Sequence, residues 1–372
     1  MEYDKRRCYA LHMRIAINGY GRIGRVAHRV ILEKHANNIE VIGINAGSST
    51  DLEGWMYLLK FDTNYGTLKN HTFSVIKPEE KPLPFQSKSK FLGYLVVDSH
   101  EIPIFSDRDP LNLPWRDLNV DCVIESTGAF EKAEELQKHI DAGASSVVLS
   151  APYKGDTHVD TFVLGVNLAK DAQNPGTKIV SNASCTTNCI SPVAKIIEDA
   201  MGIEKAMMTT VHGYTSDQRL HDGGHKDYRR ARAASQNIIP TSTGATQAAA
   251  KTIPSLEGKF NGLAIRVPVP VGSLSDFTFL TSRETSVEEV NNLFKNAAGM
   301  EQWKGILQAT NEPIVSSDIV GNPHSSIVDL SLTQVVGGNM VKVIAWYDNE
   351  YGYANRLVEE TAIIGNQSNP AQ

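Results

Sequence analysis

Ile15-Ala-Ile-Asn-Gly19-Tyr-Gly21-Arg-Ile-Gly24 decides how the first half of this chain folds. A short apolar run enters three glycines spaced GxGxxG, and residues 23–35 then carry helical spacing. The pattern predicts strand, tight turn and helix. Gly19 permits the turn, Gly21 lets the backbone approach a pyrophosphate, and Gly24 allows close packing of helix on strand. The helix amino terminus offers free N–H groups and the positive end of its dipole to phosphate. Glycine-rich turns also serve packing alone, so the strand–turn–helix setting is what points to a dinucleotide.

Outward from this motif, strand and helix signals alternate. Residues 40–45 read as a strand, 52–60 as a helix, 121–125 as a strand, 132–142 as a helix and 146–150 as a strand. That order implies right-handed crossovers and a doubly wound parallel sheet. Residues 77–90, rich in proline and lysine, break the pattern and predict an exposed loop. An acid that grips the adenosine ribose belongs at the end of the second strand. That strand ends Ile44-Asn45-Ala46-Gly47-Ser48-Ser49, without one, and Asp51 reads as the cap of the next helix. Glu125-Ser126-Thr127-Gly128 and Ser150-Ala151-Pro152 close later strands, where cofactor-lining loops belong.

Beyond Cys189 the texture changes. Long apolar stretches at 205–211, 262–269, 275–281 and 340–347 predict strands, with a helix at 287–298 between them. The expected fold class is α/β: a Rossmann doubly wound parallel sheet plus an α+β catalytic domain with a largely antiparallel sheet. The expected domains are 13–184 for the dinucleotide, completed by a terminal helix at 351–365, and 185–350 for catalysis. Residues 1–12 read as an extension before the first strand. The chain has 372 residues, enough for two cores, with 41% hydrophobic and 21% charged residues. A net charge of -6 gives no reason to expect nucleic acid. No apolar run suits a membrane span or a signal peptide. Four cysteines (Cys8, Cys122, Cys185, Cys189) are too few for a disulfide framework, which favours a reduced, cytoplasmic protein. No metal site is expected.

The chemistry centres on Ser181-Asn-Ala-Ser184-Cys185-Thr186-Thr-Asn-Cys189. Small polar residues precede Cys185 and a helical pattern (192–200) follows, so the thiol sits where a helix dipole favours thiolate. Cys122, inside an apolar strand, and Cys189, one turn beyond Cys185, read as small buried hydrophobes.

This motif and Ile17-Asn-Gly-Tyr-Gly-Arg-Ile-Gly-Arg25 together resemble the phosphorylating glyceraldehyde-3-phosphate dehydrogenase family. The match continues in Val211-His-Gly-Tyr-Thr215, Arg229-Arg-Ala-Arg-Ala233, Ile239-Pro-Thr-Ser-Thr-Gly-Ala245, Arg266-Val-Pro and Trp346-Tyr-Asp-Asn-Glu350, in the family's order. The resemblance implies a thiolate of Cys185 attacking an aldehyde, with His212 pairing with it and moving the proton. Hydride goes to nicotinamide, and inorganic phosphate cuts the thioester to an acyl phosphate. It also implies an anion site at Thr215 and Arg266 for the substrate phosphate. A second, at Ser184, Thr186, Arg232, Thr243 and Gly244, would hold the attacking phosphate, and Arg230 reads as solvated surface. For the cofactor it implies Asn18, Arg22 and Ile23 at the pyrophosphate with the glycines Gly19, Gly21 and Gly24. Ala46 and Arg108 fall near the adenosine, Ser126, Thr127, Gly128 and Ser150 in the lining loops, and Asn349 at the nicotinamide carboxamide. A homotetramer is implied too.

Departures concern the cofactor. Ala46 stands where NAD-using members usually have an acid, and Gly223-Gly224 where a Leu-Pro pair is common. Loss of the acid removes both its grip on ribose hydroxyls and its repulsion of a 2′-phosphate. Ser48, Ser49 and Thr50 could donate to such a phosphate, so NADP is favoured over NAD, although no new arginine is evident beside Ala46 and such a site would rely on hydroxyls with modest selectivity. The rival enzyme is erythrose-4-phosphate dehydrogenase, which shares the cysteine motif. A non-catalytic nucleotide-binding scaffold would be expected to lose Cys185, His212 or an anion-site arginine, and all are present.

Overall fold

The computed structural model describes residues 12–173 and 175–366, so most of the expected extension, Cys8 included, lies outside the described residues. The motif folds as its spacing predicts. β1 (Met13–Asn18) turns at Gly19 into α1 (Arg22–Val30), then a π-turn carries the chain to β2 (Ile39–Asn45). Gly19 has φ +94°, the left-handed region that suits glycine. A Cβ at Gly24 would lie 2.2 Å from the Gly19 carbonyl oxygen, so helix and strand touch there.

α2 (Leu52–Lys60) is capped by Asp51, whose carboxylate accepts from Gly54 N at 2.8 Å, the capping role read for it. A two-rung hairpin, β3 (Phe61–Asp62) and β4 (Gly66–Thr67), follows. Next come β5 (Phe73–Ile76), β6 (Lys90–Val97) and β7 (His100–Ser106), strands that the expected pattern lacks, with residues 77–89 looping between the first two. β8 (Cys122–Glu125), α3 (Ala133–Asp141), β9 (Ser146–Leu149), β10 (Asp160–Thr161) and β11 (Ile179–Ser181) complete the first sheet. Its order is β10-β11-β9-β8-β1-β2-β7-β6-β5. It is parallel from β10 to β7, the doubly wound parallel sheet expected, with β6 and β5 added antiparallel at one edge. The strand order reverses between β1 and β8, and open α/β sheets bind ligands outside the carboxyl ends of strands at such a switch point.

The second sheet is built from β12 (Ile203–Gly213), β13 (Ile239–Ser242), β14 (Phe260–Val267), β15 (Ser273–Thr281), β16 (Leu307–Thr310), β17 (Ser326–Asp329), β18 (Gln334–Val336) and β19 (Met340–Tyr347). Its order is β13-β14-β12-β15-β19-β17-β16, with β18 beside β19. Most pairings are antiparallel, but β12 lies parallel to β14 and β16 to β17. α4 (Cys185–Met201), α5 (Ala245–Thr252) and α6 (Val287–Ala298) cover one face, burying Ile190, Val193, Ile197, Phe277, Phe279 and Phe294 in one cluster. α7 (Tyr351–Gly365) returns to the first sheet, where Tyr353, Leu357 and Ile364 join the cluster of Ile15, Ile17 and Val26.

Candidate active site

The loop before α4 is tightly held. Ser184 caps the helix, its Oγ accepting from Thr187 N at 3.0 Å. Asn188 Nδ2 donates to the carbonyls of Asn182 and Ser184. Ala183 is buried with φ +53°, a left-handed conformation that costs a non-glycine residue free energy. Its N–H donates to Ser181 Oγ and its carbonyl accepts from Tyr353 Oη at 3.1 Å. This bend delivers Cys185 as the first residue of α4.

Cys185 Sγ lies 3.4 Å from His212 Nε2, the imidazole standing near the end of β12. His212 Nδ1 lies 2.6 Å from the Gly213 carbonyl, which can only accept, and 3.1 Å from Arg266 Nη1, which can only donate; the shorter contact puts the proton on Nδ1, and Nε2 then turns its lone pair to sulfur. Burial pushes the Cys185 thiol up, opposed by Arg266 and by a hydrogen bond from Thr186. Burial also pushes His212 down to about 3, and the Arg266 charge adds to this. Both effects favour the uncharged pair at rest. Thiolate then forms by moving the thiol proton to Nε2, a transfer that leaves the net charge unchanged. Cys122 and Cys189 are buried, each pushed up by burial to about 12, and have the inert character read for them.

The parallel register of β12 and β14 sets Arg266 opposite His212. Arg266 donates to the Gly213 carbonyl and to Thr215 Oγ1 at 3.3 Å. Its Nε has no partner, and among the described residues no carboxylate pairs with it. A largely buried guanidinium without a counter-charge is a seat for an anion. A cavity of about 180 Å³ joins Cys185, His212 and Arg266 to Ser184, Thr186, Thr243 and Gly244. The amino terminus of α5, at Gly244, has no side-chain cap and faces this space.

One expected member is elsewhere. Arg232 points to solvent, its side chain 62% exposed and paired with Asp222 at 2.7 Å. Arg230, read as surface, lines the cavity instead, held by Asp217 at 2.8 Å, Thr241 Oγ1 and the Ser242 carbonyl. Two-residue spacing in an irregular loop carries no face information, so the sequence could not choose between these arginines.

The crevice at β1 and β8 fits a dinucleotide. A Cβ at Gly21 would meet nothing within 4 Å, whereas one at Gly19 would strike Thr127 N at 2.5 Å. No side chain caps α1, so the N–H groups around Arg22, Ile23 and Gly24 remain for phosphate oxygens. The Arg22 side chain itself is taken by Asp62 and Glu350, which leaves its backbone for that role. Ser126 Oγ donates to the Gly19 carbonyl at 2.7 Å, Gly128 turns at φ +69°, and Ser150 N donates to Glu125 O. Asn349 is buried, and its Oδ1 accepts from Gly272 N and Ser273 Oγ, leaving the amide Nδ2 to donate. At the other end, Arg108 Nη2 reaches Ser48 Oγ at 3.3 Å, beside the loop that Ala46 opens. Nothing in sequence spacing joins those two residues. Among the described residues, no cluster of three metal-binding side chains occurs and no helix is long and apolar enough to cross a membrane.

A dinucleotide crevice meeting a cysteine–histidine pair beside a buried arginine is the arrangement of a thiol-dependent dehydrogenase. Residues 13–133 match the family model for the glyceraldehyde 3-phosphate dehydrogenase NAD binding domain, and residues 184–349 that for its C-terminal domain. The chain is 47% identical over 359 residues to glyceraldehyde-3-phosphate dehydrogenase 2 of Streptomyces avermitilis, covering 95% of this chain and 99% of that one. It is 46% identical to glyceraldehyde-3-phosphate dehydrogenase 2 of Synechocystis sp. (94% and 98% covered) and to the Mycobacterium tuberculosis enzyme (95% and 98%). The chain belongs to the glyceraldehyde-3-phosphate dehydrogenase family, whose amino-terminal domain takes a nicotinamide dinucleotide.

Proposed function

We propose that this chain oxidises D-glyceraldehyde 3-phosphate to 1,3-bisphosphoglycerate through Cys185, with NADP favoured over NAD. The observation that carries the reaction is the Cys185–His212 pair at 3.4 Å in a cavity walled by two arginines. His212 Nε2 takes the thiol proton as sulfur adds to the aldehyde carbon and returns it to the resulting oxyanion, giving a hemithioacetal. The same nitrogen, once free, takes the hemithioacetal hydroxyl proton as the carbonyl re-forms. The nicotinamide, when bound, supplies the hydride acceptor, and Asn349 would hold its carboxamide. The product is a Cys185 thioester. Inorganic phosphate attacks its carbonyl carbon, and the thiolate leaves. Arg266 with Thr215 suits the substrate phosphate, and Arg230 with Thr243 and the α5 amino terminus suits the attacking one. We read residues 13–184 with 351–365 as the dinucleotide domain and 185–350 as the catalytic domain.

NADP preference rests on one juxtaposition: Arg108 beside Ser48, in a loop with Ala46 where an acid would repel a 2′-phosphate. Leu220, Tyr228 and Ile238 lie exposed on the 214–238 loop, which supports association with further copies, the homotetramer the resemblance implies. A cytoplasmic setting suits a thiol enzyme of this kind. The experiment is kcat/KM with NADP and NAD, using glyceraldehyde 3-phosphate and erythrose 4-phosphate. We expect NADP and the triose to be preferred, and Arg108→Ala to cost NADP about tenfold while sparing NAD. A clear NAD preference unaffected by Ala46→Asp would contradict the cofactor reading. Faster turnover of the tetrose would contradict the substrate.

A further inference from the structure

Glu125, at the end of β8, is fully buried, yet four donors converge on its carboxylate. Thr127 gives its backbone N–H at 2.8 Å and its hydroxyl at 2.5 Å to Oε1. Asn18 Nδ2 at 2.5 Å and His139 Nε2 at 3.0 Å share Oε2. The His139 tautomer is fixed from behind: Trp115 Nε1, which can only donate, bonds Nδ1 at 3.0 Å, so the ring proton sits on Nε2 and faces Glu125. His139 comes from α3 and is itself fully buried.

The chain of bonds runs on across the sheet. Asn18 Oδ1 accepts from Asn45 Nδ2 at 2.6 Å, and the same amide donates to the Asp107 carbonyl. Asn45 Oδ1 accepts from Gly47 N and Asp107 N. A continuous buried rail therefore crosses the carboxyl ends of β8, β1, β2 and β7. It ties together the loops that carry Thr127, Gly19 to Gly24, Ala46 to Ser48, and Arg108. A carboxylate buried with every lone pair filled is costly to assemble and stiff once assembled.

We propose that Glu125 and His139 are positioning residues for the dinucleotide, setting Asn18 and Thr127 and locking the pyrophosphate and adenosine loops into one preformed cradle. Neither need touch the cofactor. Each acts through the groups it orients, as outer hydrogen-bond partners do around other bound groups. Because the rail lies beneath the part of the cradle common to both dinucleotides, its loss weakens NAD and NADP alike. Arg108 discriminates between them, so failure of the NADP reading leaves this inference standing.

The test is direct titration of NAD and of NADP into the full-length protein, with Kd read by calorimetry, for His139→Leu, His139→Gln and Glu125→Gln. Leucine removes the donor to Glu125. Glutamine restores it, its amide Nε2 donating to Glu125 and its Oε1 accepting from Trp115. Glu125→Gln sets an amide donor against converging donors and serves if the leucine variant does not fold. We expect His139→Leu and Glu125→Gln to raise both Kd values by about tenfold or more, and His139→Gln to recover most of the loss. Iodoacetamide labelling of Cys185 in the cofactor-free protein should be unchanged in all three, since the rail does not reach it. Unaltered Kd in the leucine and Glu125 variants would overturn the proposal. So would equal losses in the two His139 variants, which would mark a merely structural residue, or weakening of one dinucleotide only.

Discussion

Cys185 and His212 sit 3.4 Å apart in surroundings that oppose charge on each. Reactivity near neutral pH then depends on internal proton transfer, whose equilibrium does not vary with pH while His212 stays unprotonated and the thiol protonated. Burial and the Arg266 charge push His212 down to about 3, so it stays unprotonated, and burial holds the thiol above its ordinary range. Iodoacetamide labelling of Cys185 should therefore be nearly flat between about pH 5 and 8. His212→Asn removes the internal acceptor, so its rate should fall at neutral pH and climb about tenfold per pH unit. A tenfold-per-unit slope in the unaltered protein would refute internal transfer. Arg230 and Arg232 make the second residue-scale test. Arg230→Ala should raise KM for inorganic phosphate about tenfold or more, and Arg232→Ala should change it less than twofold. Steady-state kinetics with phosphate varied would expose the reverse pattern. That Cys185 opens a helix was legible because helix starts obey local rules, and His212 entered only through the family motif, whereas the Arg230 or Arg232 choice depends on how an irregular loop folds.

At the scale of elements, capped helices with a clear period were legible and irregular strands were not. The spacing at 52–60 and 287–298 gives α2 and α6 with the bounds they have in the fold, because amphipathic periodicity and caps at Asp51 and Ser286 agree. The helix expected at 192–200 begins at Cys185 and runs through Pro192. β6 and β7 were hidden by Gly93, which bulges at φ +122°, and by Pro103, a residue that ordinarily argues against a strand. α7 carries one cost that periodicity does not reveal. Glu360 is fully buried on it, with neither carboxyl oxygen bonded among the described residues, and burial holds its pKa well above the ordinary carboxyl value of 4.5. A group raised in the folded state contributes fully below the unfolded value and loses that contribution as pH rises. Each unit above the unfolded value costs about 1.4 kcal/mol until the folded value is reached. Glu360→Gln should consequently raise Tm at pH 8 and leave it nearly unchanged at pH 4, as scanning calorimetry would register. Equal shifts at both pH values would contradict an unpaired, neutral Glu360.

In the whole molecule, the proposed site draws on both sheets. The first supplies a cradle at its strand reversal, and the second presents His212 and Arg266 on neighbouring strands. α4 starts in the loop between them and carries the thiol. The Rossmann half was legible because its motif is contiguous. The buried rail was not, since Asn18, Asn45 and Glu125 come from separate strands aligned only by the parallel register, and His139 reaches them from α3. The central claim is a covalent acyl intermediate on Cys185 that phosphate releases. The most direct measurement is mass spectrometry of the protein quenched in acid after mixing with glyceraldehyde 3-phosphate and NADP, with and without inorganic phosphate. The account predicts one phosphoglyceroyl adduct per chain on the Cys185 peptide without phosphate, and its loss when phosphate is present. Turnover with no adduct, or an adduct on another residue that phosphate discharges, would contradict it.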